Sequence, residues 1–162
     1  MAKSHGVEDR NQKFKELEKN LKILNGSYIK VGIQEGTVTT AQTKGFHVKP
    51  AGLSMAEIGY VNEYGSGHIP ARSFIGSTMN EKEGNIVRFI DVQVNDVMRG
   101  RITALKALNL TGLYVESLIK QKIRAITSPP NSPVTIAMKG SSKPLIDFGQ
   151  MINSIKYVVL SK

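Results

Sequence analysis

Residues 27–34 read SYIKVGIQ, and taking this stretch as a strand decides the fold class. Tyr28, Ile29, Val31 and Ile33 are the aromatic and β-branched residues that suit a pleated, half-buried surface. Gly32 inside the run points to a bulge or a close neighbour. The closing stretch KYVVL, residues 156–160, has the same character, so pairing of these two terminal strands is the expected sheet nucleus. Most of the remaining pattern is helical. The class expected is therefore α+β, a small mixed sheet of N- and C-terminal strands packed against several amphipathic helices.

Working outward, residues 8–24 space Phe14, Leu17, Leu21 and Leu24 as one helical face, ending before Asn25-Gly26. Ser54-Met55-Ala56-Glu57 fits a capping box and predicts a helix over 55–64, with Ile58, Val61 and Tyr64 as its apolar face and Gly65 as its stop. A turn over Gly65–Pro70 follows. Asn80 with Glu83 predicts the start of a longer helix carrying Ile86, Phe89, Ile90, Val94, Val97 and Met98. A third pattern runs from 102 or 110 to 126, and a joint near Gly100 stays open. Residues 35–53 and 127–143 are expected as long loops, the first with the option of a hairpin. Three prolines within 129–133 must interrupt helix, Val134–Ala137 fits a short strand, and Asp147–Ser154 a short helix.

At 162 residues the chain is the size of one domain, 1–162, since single cores commonly split only beyond ~250 residues. Residues 1–7 are expected as a flexible N-terminus. With 40% hydrophobic and 22% charged residues it has enough apolar material to bury a core. The absence of cysteine excludes disulfides, thiolate nucleophiles and cysteine-ligated metals. No apolar run approaches the ~20 residues of a spanning helix, and the polar N-terminus lacks a signal-peptide stretch, so use in the cytosol or inside an assembly is expected.

The net charge of +9 invites a nucleic-acid reading, but its distribution is uneven. Residues 101–162 carry nine cations and two anions, whereas residues 31–100 carry six and seven. Lys120, Lys122 and Arg124 crowd one helix end, where cations favour the macrodipole. Only Tyr114, Phe148 and Tyr157 follow residue 100, so the aromatic interleaving of single-strand readers is weak.

Catalytic patterns are isolated. His5, His47 and His68 lack partners at metal-ligand spacing. Ser117-Leu118-Ile119-Lys120 matches Ser-x-x-Lys, but the companion motifs of serine acylases are missing. Gly65-Ser66-Gly67 follows a helix instead of opening one, unlike a phosphate cradle. Asp147 lacks a catalytic partner at defined spacing and reads as a helix N-cap.

Two segments carry more specific information. One is Val61-Asn62-Glu63-Tyr64-Gly65 followed by Ile69-Pro70-Ala71-Arg72-Ser73-Phe74-Ile75. The other is Lys139-Gly140-Ser141-Ser142-Lys143-Pro144-Leu145-Ile146-Asp147-Phe148-Gly149-Gln150-Met151 followed by Ser154-Ile155-Lys156-Tyr157. Together, in this order and at this separation, they resemble the signatures of tail-completion or neck proteins of long-tailed bacteriophages and prophages. The resemblance covers about residues 12–161. Ser73, Phe148 and Met151 depart from the usual proline, threonine and leucine.

The resemblance implies a small α+β subunit without enzymatic activity, catalytic residues or cofactor. It implies a homo-oligomeric ring at the neck, completing the tail and joining it to the head connector around the DNA channel. Six-fold symmetry is favoured, with twelve-fold as the alternative. The implied partners are tail terminator or tail tube proteins and head-connector proteins, with no membrane and with non-specific contact to DNA in the channel. The motif residues Glu63, Tyr64, Gly65, Ile69, Pro70, Ala71, Arg72, Phe74, Pro144, Leu145, Asp147 and Gly149 are expected as fold determinants and interface candidates. Within them, Arg72 would hold a carboxylate or backbone carbonyls bidentately, Asp147 would cap the last helix, and Gly149 would allow tight packing. The alternative from another class is a basic, non-specific nucleic-acid-binding protein.

Overall fold

In a computed structural model that describes residues 5–44 and 47–162, the chain is α+β. In order it forms α1 (His5–Asn25), β1 (Ser27–Ile33), β2 (Gln42–Lys44), β3 (His47–Lys49), α2 (Met55–Tyr64) and α3 (Gly76–Met98). Then follow α4 (Ala104–Ala125), α5 (Pro133–Lys139), α6 (Gln150–Ser154) and β4 (Ile155–Ser161). As expected from their composition, β1 and β4 pair with each other in a two-stranded sheet. The Lys162 N–H, just past β4, donates to the Gly26 carbonyl, just before β1, at 2.7 Å. No helix among the described residues is long and apolar enough to cross a membrane.

Contacts gather the chain into two compact units. One comprises Met1–Lys30, Gly84–Val115 and Tyr157–Lys162; the other comprises Val31–Glu83 and Glu116–Lys156.

In the first unit, the Asn20 side-chain oxygen of α1 accepts the Ala104 N–H at 2.8 Å, satisfying a donor that the start of α4 leaves open. Ile86 and Val97 of α3 and Ala104 and Ala107 of α4 are buried. Phe89 stacks on Tyr114 with ring centroids 4.2 Å apart. The joint between α3 and α4 falls at Gly100, which adopts φ 68°, a conformation that suits glycine. Two expected faces are only partly used: Phe14 and Leu21 of α1, and Ile90, Val94 and Met98 of α3, are exposed. Residues 5–7, expected as flexible, belong to α1, and residues 1–4 lie outside the described residues.

In the second unit, α2 begins as its capping box requires, with the Ser54 hydroxyl accepting the Glu57 N–H. It packs against α6. Met55, Phe74, Ile119, Ile123, Met151 and Ile155 build the buried apolar centre. Gly59 lets Ile33 approach, since a Cβ there would lie 2.3 Å from the Ile33 Cδ1.

Four expectations need correction here. Of the two readings of 35–53, the hairpin and not the loop is found: β2 and β3 pair antiparallel in the register Gln42↔Lys49 and Thr43↔Val48. The segment is tied to the core by Thr39, which is buried and whose hydroxyl donates to the Pro50 carbonyl and accepts the Leu53 N–H. Residues 134–137 are helix, not strand, inside α5. Ser132 caps α5, Pro133 occupies a first-turn position whose N–H has no helical partner, and Gly140 ends it in the left-handed conformation. The same prolines that argue against helix therefore start one. Third, α3 begins at Gly76, four residues before the Asn80 start, because a carboxylate outside the helix caps it. Fourth, Tyr64 does not join the apolar face of α2 but stands exposed beside Tyr60.

Candidate functional site

The first motif is built around Glu63, on the last turn of α2 and only 8% exposed. Its Oε2 accepts the N–H groups of Phe74 and Ile75, at 2.7 and 2.9 Å. Its Oε1 accepts the Gly76 N–H at 2.8 Å and the Ser73 hydroxyl at 2.6 Å. The Ile75 and Gly76 N–H groups are donors that the start of α3 leaves without helical partners, and a negative charge there also complements the helix dipole. Burial pushes the Glu63 carboxyl up, and the hydrogen bonds from Ser73, Ile75, Phe74 and Gly76 more than reverse this, leaving it below the ordinary carboxylate value.

The chain between Glu63 and Phe74 turns tightly. Gly65 takes φ 83°, and a Cβ there would sit 2.9 Å from the Ala71 nitrogen, so both conformation and space require glycine. Ser66 and Ile69 exchange backbone hydrogen bonds at 2.8 and 3.2 Å across the turn. The Arg72 N–H returns to the Asn62 carbonyl at 2.7 Å. Phe74 is fully buried, and Ala71 is exposed.

Arg72 is buried, and its guanidinium reaches two successive backbone carbonyls. Nε donates to the Pro129 oxygen at 2.7 Å and an Nη donates to the Pro130 oxygen at 2.9 Å. Of the two expected partners, carbonyls rather than a carboxylate are found. This use of the planar fork holds the proline segment that leads into α5.

The second motif begins at Pro144, fully buried. Leu145 has φ 60°, and the Ile146 N–H closes a three-residue turn onto the Pro144 oxygen at 2.6 Å. Contrary to expectation, Asp147 does not cap α6; the N-cap position is Gly149, which has no side chain to offer. Asp147 instead lies close enough to Lys139 to stabilise its ammonium. Gly149 serves by its left-handed φ of 77° and not by close packing, since the nearest atom to a Cβ there would be 3.7 Å away.

Residues of both motifs meet at one cleft of about 640 Å³ in the second unit. Ile69, Pro70 and Arg72 come from the first motif, and Leu145 and Asp147 from the second. Glu63, Tyr64, Gly65, Ala71, Phe74, Pro144 and Gly149 do not line it. Lys49 and Lys139 do; Lys139 opens the stretch that carries the second motif, whereas no motif marks Lys49 in sequence. Burial lowers the Lys139 ammonium below its ordinary value; Asp147 opposes this, while Arg72 and Lys49 add to it. The cleft therefore holds three cations against one carboxylate, within walls that include Ile58, Pro133 and Phe148.

Other candidates disperse. Lys120 is paired with Glu116 at 2.6 Å. Lys122 is paired with Glu81, also at 2.6 Å, so two of the three cations at this helix end are matched by carboxylates. His68 lines the cleft, while the side chains of His5 and His47 lie outside the described residues. No group of three or more His, Asp or Glu among the described residues is arranged to hold a metal ion.

Comparison with protein-family models, with curated proteins and with solved structures returns no match.

Proposed function

We propose that this chain is a structural subunit of a long-tailed bacteriophage, a tail-completion or neck protein that forms a ring joining the tail to the head connector around the DNA channel. The reading rests on the two motifs that resemble that family, and one observation supports it most. The two charged groups of the first motif are spent on backbone: Glu63 on the approach to and start of α3, and Arg72 on the carbonyls of Pro129 and Pro130. Groups held this way determine a shape. They are not left free to move protons or attack a substrate. The surface that the motifs then shape is a cleft with a rim that includes Ile69, as suits a subunit that works by contact.

In this proposal the subunit forms a hexameric ring, or a dodecameric one if it follows the portal side, between tail proteins and head-connector proteins. Size-exclusion chromatography with light scattering, followed by a DNA titration at two salt concentrations, tests it. A closed oligomer with weak DNA binding is expected. A strict monomer that binds DNA tightly, with steep salt dependence, overturns it in favour of the basic nucleic-acid-binding alternative.

A further inference from the structure

Helix α2 presents two chemically opposite edges. Ile58 and Asn62 face the cleft. Glu57, Tyr60 and Tyr64 lie within about 60° of one another on a 3.6-residue helix, roughly 150° round from that edge. Tyr60 and Tyr64 are 65% and 69% exposed, with ring centroids 4.9 Å apart. Two adjacent exposed tyrosines beside a carboxylate form an acidic, aromatic ridge. The cleft offers the complement: the cations Lys49 and Lys139, and apolar walls from Ile69, Pro133 and Phe148.

We infer that the ridge of Glu57, Tyr60 and Tyr64 on one copy docks into the cleft of Lys49, Lys139 and Ile69 on the next copy, head to tail. Different patches on opposite flanks of one helix make a heterologous contact, which closes into a ring when the rotation allows. Tyrosines supply large apolar area with a polar tip, as interface anchors do. A carboxylate entering beside Lys139 favours its charged form, which burial chiefly, and Arg72 and Lys49 in addition, disfavour. The inference deepens the assembly reading and rests on it.

The chain has no cysteine, so disulfide trapping has no background. Mixing Tyr60→Cys with Ile69→Cys protein under mild oxidation is expected to give the mixed disulfide at least tenfold faster than mixing Tyr60→Cys with Phe14→Cys, although Phe14 on α1 is the more exposed position, 68% against 39%. The double variant is expected to give a ladder of covalent oligomers. Glu57→Lys is expected to cut the trapping rate at least tenfold, and adding Lys139→Glu to restore it, both with unchanged circular dichroism. Tyr60→Cys pairing with itself or with Phe14→Cys as readily, no trapping at all, or no rescue by the charge exchange each overturns the interface. Loss of trapping on adding a twelve-nucleotide oligothymidylate also overturns it, by giving the cleft to nucleic acid. A closed oligomer that persists in Glu57→Lys removes this interface and leaves the assembly reading intact. Trapping without closed oligomers in light scattering does the reverse.

Discussion

The Ser73 hydroxyl sits 2.6 Å from Glu63 Oε1 and, from its other side, accepts the Ser77 N–H at 3.0 Å. One hydroxyl thus links the carboxylate at the end of α2 to the first turn of α3. Proline, usual at this position in the family that the motif resembles, has neither hydroxyl nor N–H. The serine here adds a donor to Glu63 and an acceptor for α3.

Glu63→Gln is expected to destabilise the protein by at least about 2 kcal/mol, because an amide leaves buried N–H donors facing its own NH₂ group. Urea unfolding at pH 7 measures it. Ser73→Ala removes one donor and one acceptor and is expected to cost about 1 kcal/mol.

The same carboxylate sets an acid limb. Its folded pKa is depressed relative to the unfolded value of roughly 4.3, so its stabilisation is complete above that value and is lost as pH falls through the folded pKa. Wild type should therefore lose stability below about pH 4.3, and Glu63→Gln should lose less over the same range. Parallel slopes for the two proteins would contradict this role.

Arg72→Lys is expected to be nearly as damaging as Arg72→Ala, because an ammonium cannot span the Pro129 and Pro130 carbonyls as the fork does. Each charge-assisted hydrogen bond is worth roughly 1.5–3 kcal/mol. Hydrogen exchange should show α5 losing protection first, at the amides of Ile136 and Gly140.

Gly112 of α4 and Tyr157 of β4 pack so closely that a Cβ on Gly112 would lie 2.3 Å from the tyrosine ring. Gly112→Ala is expected to cost about 1–3 kcal/mol by overpacking, despite alanine's better helix propensity. It should also weaken the hydrogen bond from the Tyr157 hydroxyl to Asn109, 3.0 Å long. The tyrosine fluorescence of this tryptophan-free chain reports the displacement. Tyr157→Leu should recover part of the loss.

Local signals carried much of the fold. The Ser54 cap and the Gly65 stop are set by neighbours a few residues away, and β1 and β4 declare themselves by composition, whereas the joint at Gly100 was left open between a break and a continuous helix. What escaped depends on distance along the chain. Glu63 caps a helix that starts thirteen residues later, Tyr157 dictates Gly112 from another element, and Thr39 is buried only because residues 50–53 fold back on it. α5 was hidden for a different reason, since Ser132-Pro133 reads as loop or as helix start by local rules alone. In the cleft, Arg72 was legible as an anchor, whereas Lys49 and Lys139 gain meaning only once β3 and α5 bring them together.

The central claim is placement at the neck of a virion. It is tested most directly by imaging purified phage particles that carry the labelled subunit. Label confined to the head–tail junction is the predicted result; label spread along the tail tube, or absent from particles, would contradict it.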